Sequence, residues 1–289
     1  MKFYRVYIEI TNICGLSCSF CPTKNLPNTT MSLEFFEDII KDVRNYTKEI
    51  ALHVFGDPLT LVNLKEYLDI LEKYNLKALI TTSGYFMKKH SLDTLFHKAI
   101  KQINISINAY NKNSSAITFN QYLEPILNFC HAKVERDKDI FINLRVWNLD
   151  EAMSERAFNI EFFNILEKEF KTKIDINSID IKKAKNIRLD NKVLLHFDSY
   201  FEWPSLNNKV YGHGTCQGLN SHIAILANGN VVPCCLDSHG VIKLGNIKES
   251  NLDSILKSNR AQNMINGFKN SKCSEELCLK CSYKDRFNQ

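Results

Sequence analysis

Cys14, Cys18 and Cys21 stand within eight residues at C-x3-C-x2-C spacing, directly after an extended apolar run from Tyr4 to Ile10. Three thiolates so spaced can converge on one cubane iron-sulfur cluster, and because a 4Fe-4S cluster has four irons, one iron is left to bind something that is not protein. A closed zinc site takes four protein ligands, and no His or fourth Cys lies near enough to complete one locally. A disulfide needs an oxidising compartment, and nothing in the chain implies one.

A second set follows in the C-terminal third: Cys216, Cys234, Cys278 and Cys281. Ala227-Asn228-Gly229-Asn230 reads as a hairpin turn between strands at Ile223 to Leu226 and Val231 to Val232, which would bring Cys216 and Cys234 together. The C-x2-C pair Cys278/Cys281, after a helix around Leu252 to Met264, then closes a four-thiolate site. Four thiolates leave no open iron, which points to electron transfer or structural support. Zinc stays open as an alternative occupant of this second set. Cys235 and Cys273 are left over, and Cys273 could replace one of the four. Cys130 falls on the apolar face of a helix and reads as an inert buried cysteine.

The elements that must position these thiols alternate. Ser32 is an N-cap for a helix with Phe36, Ile39, Ile40 and Val43 on one face. A strand follows at Ile50 to Phe55, then a helix marked by Leu61, Leu64, Leu68 and Leu71, then a strand at Lys77 to Thr82. A helix at Leu92 to Ile100 leads to a strand at Gln102 to Asn108. Phe119, Leu123, Ile126, Leu127 and Cys130 mark the next helix, before a strand at Ile140 to Trp147, a helix with Phe163, Leu166 and Phe170, and a sixth strand at Val193 to Phe201. The stretch 174–188 is polar and unpatterned. Such alternation implies parallel pairing through right-handed crossovers, with ligands gathered at the carboxyl ends of the strands. Six units fall short of an eight-fold barrel, so the fold class is α/β, either an open partial barrel or a doubly wound sheet. Composition changes near Trp203, dividing the chain into residues 1–203 and 204–289.

The first cysteine spacing, with the aromatic Phe20 before its last cysteine, resembles the radical S-adenosylmethionine (SAM) superfamily. Phe55-Gly56-Asp57-Pro58 resembles that family's G-E-P motif, with Asp57 in place of Glu. The second cysteine set, the Gly229-x4-Cys234 element and the run Leu244-Gly245-Asn246-Ile247 resemble its C-terminal twitch or SPASM extension. The resemblance implies a partial (β/α)6 TIM-like barrel with a small C-terminal β-hairpin and helix domain that binds one auxiliary 4Fe-4S cluster. It implies that SAM caps the open iron and is reductively cleaved to a 5'-deoxyadenosyl radical, which takes a hydrogen from a substrate carbon. It implies that Phe20 packs beside the adenine and that the backbone at Gly56, Asp57 and Pro58 receives the SAM amino group. Ser83, Ser106 and Asn108 are cofactor contacts by the same resemblance; on their own chemistry they are equally strand-end turn formers. Arg145, a charge within a strand, needs a partner, either the SAM carboxylate or a structural carboxylate. Asp237 and Glu202 are candidate bases for a neighbouring proton, or else solvated loop carboxylates. A reducing partner such as flavodoxin or ferredoxin and a small-molecule or peptide substrate complete the expectation.

Length and composition set the limits. The chain has 289 residues with 44% hydrophobic and 24% charged content, ordinary for a globular protein able to bury a sizeable core. No apolar stretch approaches the ~20 residues of a membrane span, and no signal peptide is visible, so the expected location is cytoplasmic. Ten cysteines and a net charge of +5 stand in the sequence. Two clusters on seven thiolates would subtract roughly three charges, which weakens any argument for a polyanionic partner. RNA modification, with Lys182 to Lys185 and Arg188 gripping phosphates, is the alternative within the same family. A noncatalytic iron-sulfur or zinc protein, serving as electron carrier or scaffold, is the alternative outside it. Tyr200-Phe201-Glu202-Trp203-Pro204 could line a substrate pocket or plug the core.

Overall fold

The alternating pattern is realised in a computed structural model that describes residues 2–23, 25–147, 155–180, 183, 185–198 and 200–287. In chain order the elements are β1 (Arg5–Ile8), α1 (Leu33–Val43), β2 (Glu49–Ala51), α2 (Leu64–Lys73), β3 (Lys77–Thr82), α3 (Leu92–Leu95), β4 (Ile100–Ser106), α4 (Asn108–Asn111), α5 (Phe119–Glu135), β5 (Phe141–Val146), α6 (Arg156–Phe170), β6 (Asn186–Asp190) and β7 (Val193–Phe197). The C-terminal part adds β8 (His222–Ile225), β9 (Asn230–Val232), β10 (Gly245–Asn246), α7 (Leu252–Leu256), α8 (Asn259–Lys269) and α9 (Glu276–Leu279). The chain forms two compact units, one of Met1–Gly15, Phe20–Leu79 and Phe201–Gln289, the other of Leu16–Ser19 and Ile80–Tyr200.

In the first unit the strand order is β10-β9-β8-β1-β2-β3. β1 pairs in parallel with β2 and with β8, and β2 in parallel with β3, whereas β9 and β10 turn back antiparallel. β1 alternates half-buried Arg5 and Tyr7 with buried Val6 and Ile8, whereas all three residues of β2 are buried. Ser32 caps α1 as expected, its Oγ accepting from the Phe35 N–H at 3.2 Å, and Phe36, Ile39, Ile40 and Val43 are all buried. β2 is shorter than the predicted Ile50 to Phe55. After Leu52, whose N–H still bonds Leu79 O at 2.9 Å, the chain leaves the sheet and the Phe55 N–H turns to a side chain. Leu61 lies ahead of α2 and only Leu64, Leu68 and Leu71 of that set are buried in it. The single helix predicted from Leu252 is two, because Ser258 caps a fresh start at Ala261 N.

In the second unit β4, β5 and β7 pair in parallel and β6 returns antiparallel along the edge of β7. β6 lies at the end of the stretch that carried no pattern; as an edge strand with only Leu189 fully buried it needs no apolar alternation. α3 ends at Leu95, since Ile100 and its neighbours are already in β4. Asn108 is not in that strand but opens α4. α5 carries a full capping box from Thr118 and Gln121. Cys130 is buried on its apolar face, and burial pushes its thiol up to about 12.

Candidate cofactor-binding site

The loop that carries the first thiols is closed at its base by side chains just after β1. Asn12 donates through Nδ2 to Pro27 O and accepts the Thr29 N–H on Oδ1, both at 2.9 Å. Thr11 reaches Thr29 O at 3.3 Å and Thr30 Oγ1 at 3.1 Å. Two backbone bonds, Asn12 N to Thr29 O and Met31 N to Ile10 O, complete the clasp. The cysteines thus follow a buried stem that anchors their loop at its base. Within it Cys14 and Cys18 are half-buried, Phe20 is half-buried and Cys21 is exposed.

Gly56 is pressed onto that stem. A Cβ built there would sit 2.1 Å from Thr11 O and 2.8 Å from the Asn12 carbonyl carbon, distances that no side chain tolerates. The Asp57 N–H donates to Ile13 O at 3.0 Å, one residue before Cys14. The Asp57 carboxylate accepts from Leu59 N at 3.0 Å and so caps the short turn Pro58–Thr60, in which Pro58 and Leu59 are buried. The Gly-Asp-Pro turn and the cysteine loop are therefore stitched together by backbone, with the Asp57 side chain serving the turn. Glu9, buried at the end of β1, adds a brace: its two oxygens accept the Phe55 and Ala227 N–H groups at 3.0 and 3.1 Å. Glu9 and Asn12 escaped sequence reasoning, although a carboxylate inside the apolar run Tyr4 to Ile10 is a signal that it must be paired.

The second unit holds the polar strand ends and Cys18. Ser106 stands directly opposite Arg145 in the β4/β5 register, and Arg145 opposite His196 in β5/β7. Asn108 accepts the Trp147 N–H on Oδ1 at 3.0 Å, and the Arg145 guanidinium lies 4.8 Å from the Trp147 ring. Ser106, Asn108 and Arg145 are thus one cluster at the carboxyl ends of β4 and β5. Burial, with the nearby Arg145 charge, holds the His196 imidazole below its ordinary range. Ser83 is buried; its carbonyl accepts from Tyr122 Oη at 2.6 Å and its Oγ accepts the Tyr85 N–H at 3.4 Å. Asn113, which no sequence signal distinguished within its polar run, donates from Nδ2 to Cys18 Sγ at 2.8 Å.

The second cysteine set lies wholly in the first unit. Gly229, at φ +92°, makes the turn between β8 and β9, and a side chain there would meet Asn246 Oδ1 at 2.8 Å. The four thiols are raised above the ordinary value first by burial, and neighbouring thiols add to it: Cys234 feels Cys216, Cys278 and Cys281, and Cys278 feels Cys216 and Cys281. The hairpin and the C-terminal C-x2-C pair therefore share one environment. Among the described residues no three His, Cys, Asp or Glu side chains close on a single ion. Four half-buried thiols form a soft, all-sulfur donor set that suits a metal-sulfur core. Cys273 is buried among them, raised mainly by burial, and its Sγ donates to Gly214 O at 3.7 Å. Cys235 is pushed up to about 11 by burial and its thiol bonds the Tyr7 hydroxyl. Lys284, 2% exposed, donates to Cys281 O at 3.0 Å and opposes the rise of Cys216, Cys273 and Cys281.

The two candidate bases differ. Asp237 is buried, and its oxygens accept the Val241 and Ile242 N–H groups, each at 2.8 Å, so that both hold a turn. Burial raises its pKa and those amides oppose the rise. Glu202 is exposed and accepts from Tyr211 Oη at 2.8 Å. Phe201 packs against Trp203 and Tyr283 at 5.8 and 5.1 Å between ring centres. Of the basic run Lys182 to Lys185, Lys182 and Ala184 lie outside the described residues, while Lys183 and Lys185 are exposed.

The Radical SAM superfamily model matches residues 8–157, and the SPASM model, an iron-sulfur cluster-binding domain, matches residues 216–282. The chain is similar to the S-adenosyl-L-methionine-dependent 2-deoxy-scyllo-inosamine dehydrogenase of Niallia circulans, at 22% identity over 126 residues, which cover 41% of this chain and 50% of that protein. The match thus spans only half the length of that curated relative. Among solved structures, BtrN in complex with AdoMet and 2-DOIA aligns with a TM-score of 0.60 at 16% identity, covering 98% of this chain and 94% of that one. Streptococcus suis SuiB bound to precursor peptide SuiA aligns with a TM-score of 0.63 at 18% identity, covering 100% of this chain and 73% of that one. These likenesses establish the fold. No helix among the described residues is long and apolar enough to cross a membrane. With a family model spanning just over half of its length, the chain belongs to the radical SAM superfamily, with the partial TIM-like barrel of that family and a C-terminal SPASM-type iron-sulfur domain.

Proposed function

We propose that this protein is a radical SAM enzyme that removes a hydrogen atom from a carbon of a small-molecule or peptide substrate. Cys14, Cys18 and Cys21 would hold a 4Fe-4S cluster with an open iron for SAM, and Cys216, Cys234, Cys278 and Cys281 one auxiliary 4Fe-4S cluster. When bound, these groups supply the 5'-deoxyadenosyl radical and, at the second set, an electron sink or a structural closure. The observation that carries the reading is the contact of Gly56 with Thr11 and Asn12, which admits no side chain and fixes the Gly-Asp-Pro backbone against the cysteine loop. That backbone presents carbonyls suited to an amino group, and Arg145 is suited to a carboxylate. Ser83, Ser106 and Asn108 offer hydroxyl and amide groups at strand ends, and Phe20 an aromatic face for an adenine.

For a substrate proton, Asp237 would have to give up an amide partner, whereas Glu202 engages one oxygen with Tyr211 and stands in solvent. A flavodoxin or ferredoxin is the reductant class that matches a low-potential cluster. The similar proteins support both substrate classes, since BtrN was solved with 2-DOIA and SuiB with a peptide. The test is anaerobic reconstitution with iron and sulfide counting, followed by EPR of the reduced protein with and without SAM. About eight irons, one signal that changes on SAM addition, and 5'-deoxyadenosine as product are expected. Zinc in the second set would make that domain structural, and no SAM-sensitive cluster would return the protein to the carrier or scaffold class.

A further inference from the structure

Asn113 follows α4 by two residues, and its side chain is fully committed. Oδ1 accepts the Ser17 N–H at 2.8 Å, while Nδ2 donates to Ala109 O at 2.7 Å and to Cys18 Sγ at 2.8 Å. A carboxamide has two N–H donors, and both are used. Its orientation follows from its neighbours: flipping the amide would set its oxygen against a carbonyl and a sulfur and its NH2 against the Ser17 N–H. A further bond, Ser19 N to Lys112 O at 3.1 Å, grips the same stretch, so Leu16–Ser19 is tied to the end of α4 on both sides of Cys18. A neutral thiol is a weak acceptor and needs no such donor. A thiolate bound to iron is a strong one, and hydrogen bonds to cluster sulfurs stabilise the more negative reduced core.

We propose that Asn113 is a positioning residue for the first cluster, donating an N–H···S hydrogen bond to ligating Cys18 and thereby raising that cluster's reduction potential. The inference rests on the reading of Cys14, Cys18 and Cys21 as cluster ligands. It makes α4 and the turn after it part of the redox machinery, in a segment that offers no ligand of its own.

The test uses the reconstituted full chain. In wild-type protein labelled with 15N-asparagine, pulsed EPR of the SAM-responsive cluster should show one coupled side-chain 15N and an exchangeable proton that is replaced in D2O. In EPR-monitored redox titrations, Asn113→Ala should move the midpoint of that cluster to a more negative potential, while the auxiliary cluster stays where it was. Asn113→Asp keeps the oxygen that accepts from Ser17 but turns an acceptor toward Cys18, and should move the midpoint at least as far. A SAM-responsive cluster without the 15N coupling overturns the inference, whether or not either variant assembles. So does an unchanged midpoint in variants with full iron content. Wild-type protein that assembles no SAM-responsive cluster overturns instead the reading on which the inference rests.

Discussion

The two thiol sets are built in opposite ways. Cys14, Cys18 and Cys21 lie on one short loop, clasped at its stem by Thr11 and Asn12 on Pro27, Thr29 and Thr30 and held around Cys18 by Asn113 and Lys112, and the thiols themselves are half-buried or exposed. Cys216, Cys234, Cys278 and Cys281 come from separate elements, and burial drives all four thiols upward. By surface the two sets overlap, since Cys14, Cys18 and all four thiols of the second set are half-buried and only Cys21 is exposed; what differs is that the second set is assembled from distant parts of the chain. A site that keeps one metal position for a small molecule must leave a face of the loop uncovered, whereas a site that takes all its ligands from the protein can be sealed. The same division between open and closed sites separates catalytic from structural zinc.

Removing one ligand from each set probes that division with the largest expected effect. Cys14→Ala should abolish SAM cleavage and lower the iron content from about eight to about four, leaving the auxiliary signal intact. Cys281→Ala should remove the auxiliary iron and lower substrate turnover or solubility, while at least some SAM cleavage survives. Full cleavage in the first variant would overturn the assignment of the open site. Gly56→Ala comes next. Its methyl group cannot fit against Thr11 O without moving the stem, so a loss of about 3 kcal/mol or more is expected in chemical denaturation, together with loss of SAM binding. Wild-type stability with wild-type SAM affinity would show that the contact between the two loops relaxes at no cost.

The open site was the more legible of the two from sequence, and the reason is local. Its cysteines are close together, its strand β1 carries the apolar residues Val6, Tyr7 and Ile8, and Ser32 announces the helix that follows. The Gly-Asp-Pro turn was equally visible, because glycine and proline mark a turn by their backbone chemistry. What stayed hidden is what binds at a distance. Glu9 reaches residues 46 and 218 positions away, and Asn113 reaches Cys18 across 95. Spacing carries no trace of such pairs. β6 leaves no pattern because an edge strand with one buried side chain needs none, and the periodicity from Leu252 to Met264 hides a break because Ser258, a small polar residue between two apolar sets, caps a new helix.

The second thiol set also has a pH signature. Thiol groups ordinarily ionise near 9.0, and in the folded apo protein Cys216, Cys234, Cys278 and Cys281 are held above that value. The unfolded chain therefore releases these protons first. Stability from this source is complete below pH 9 and is lost as pH rises through 9 toward the folded values. The apo protein should melt a few degrees lower at pH 10 than at pH 8, on a scale of about 2–4 °C per kcal/mol for a chain of this size. The loaded protein, whose thiolates carry no protons, should lack this drop. Equal pH dependence in apo and loaded protein would show that these thiols are not desolvated in the fold.

The finest test concerns Lys284, a cation that acts on two of these thiols, Cys216 and Cys281, and on their neighbour Cys273. It is buried, donates to Cys281 O, and opposes the burial that raises Cys216, Cys273 and Cys281. A buried ammonium beside a group of thiols lowers the cost of turning them into thiolates, which is the form that binds iron. Lys284→Met keeps the length of the side chain and removes the charge. Auxiliary-site loading should then require a higher pH, with iron content below wild type at pH 7 and recovered at pH 9, while the SAM response of the first cluster is unchanged. Lys284→Arg should restore loading at neutral pH. If Lys284→Met loads both sites at pH 7 as wild type does, the charge is irrelevant to assembly of the second set.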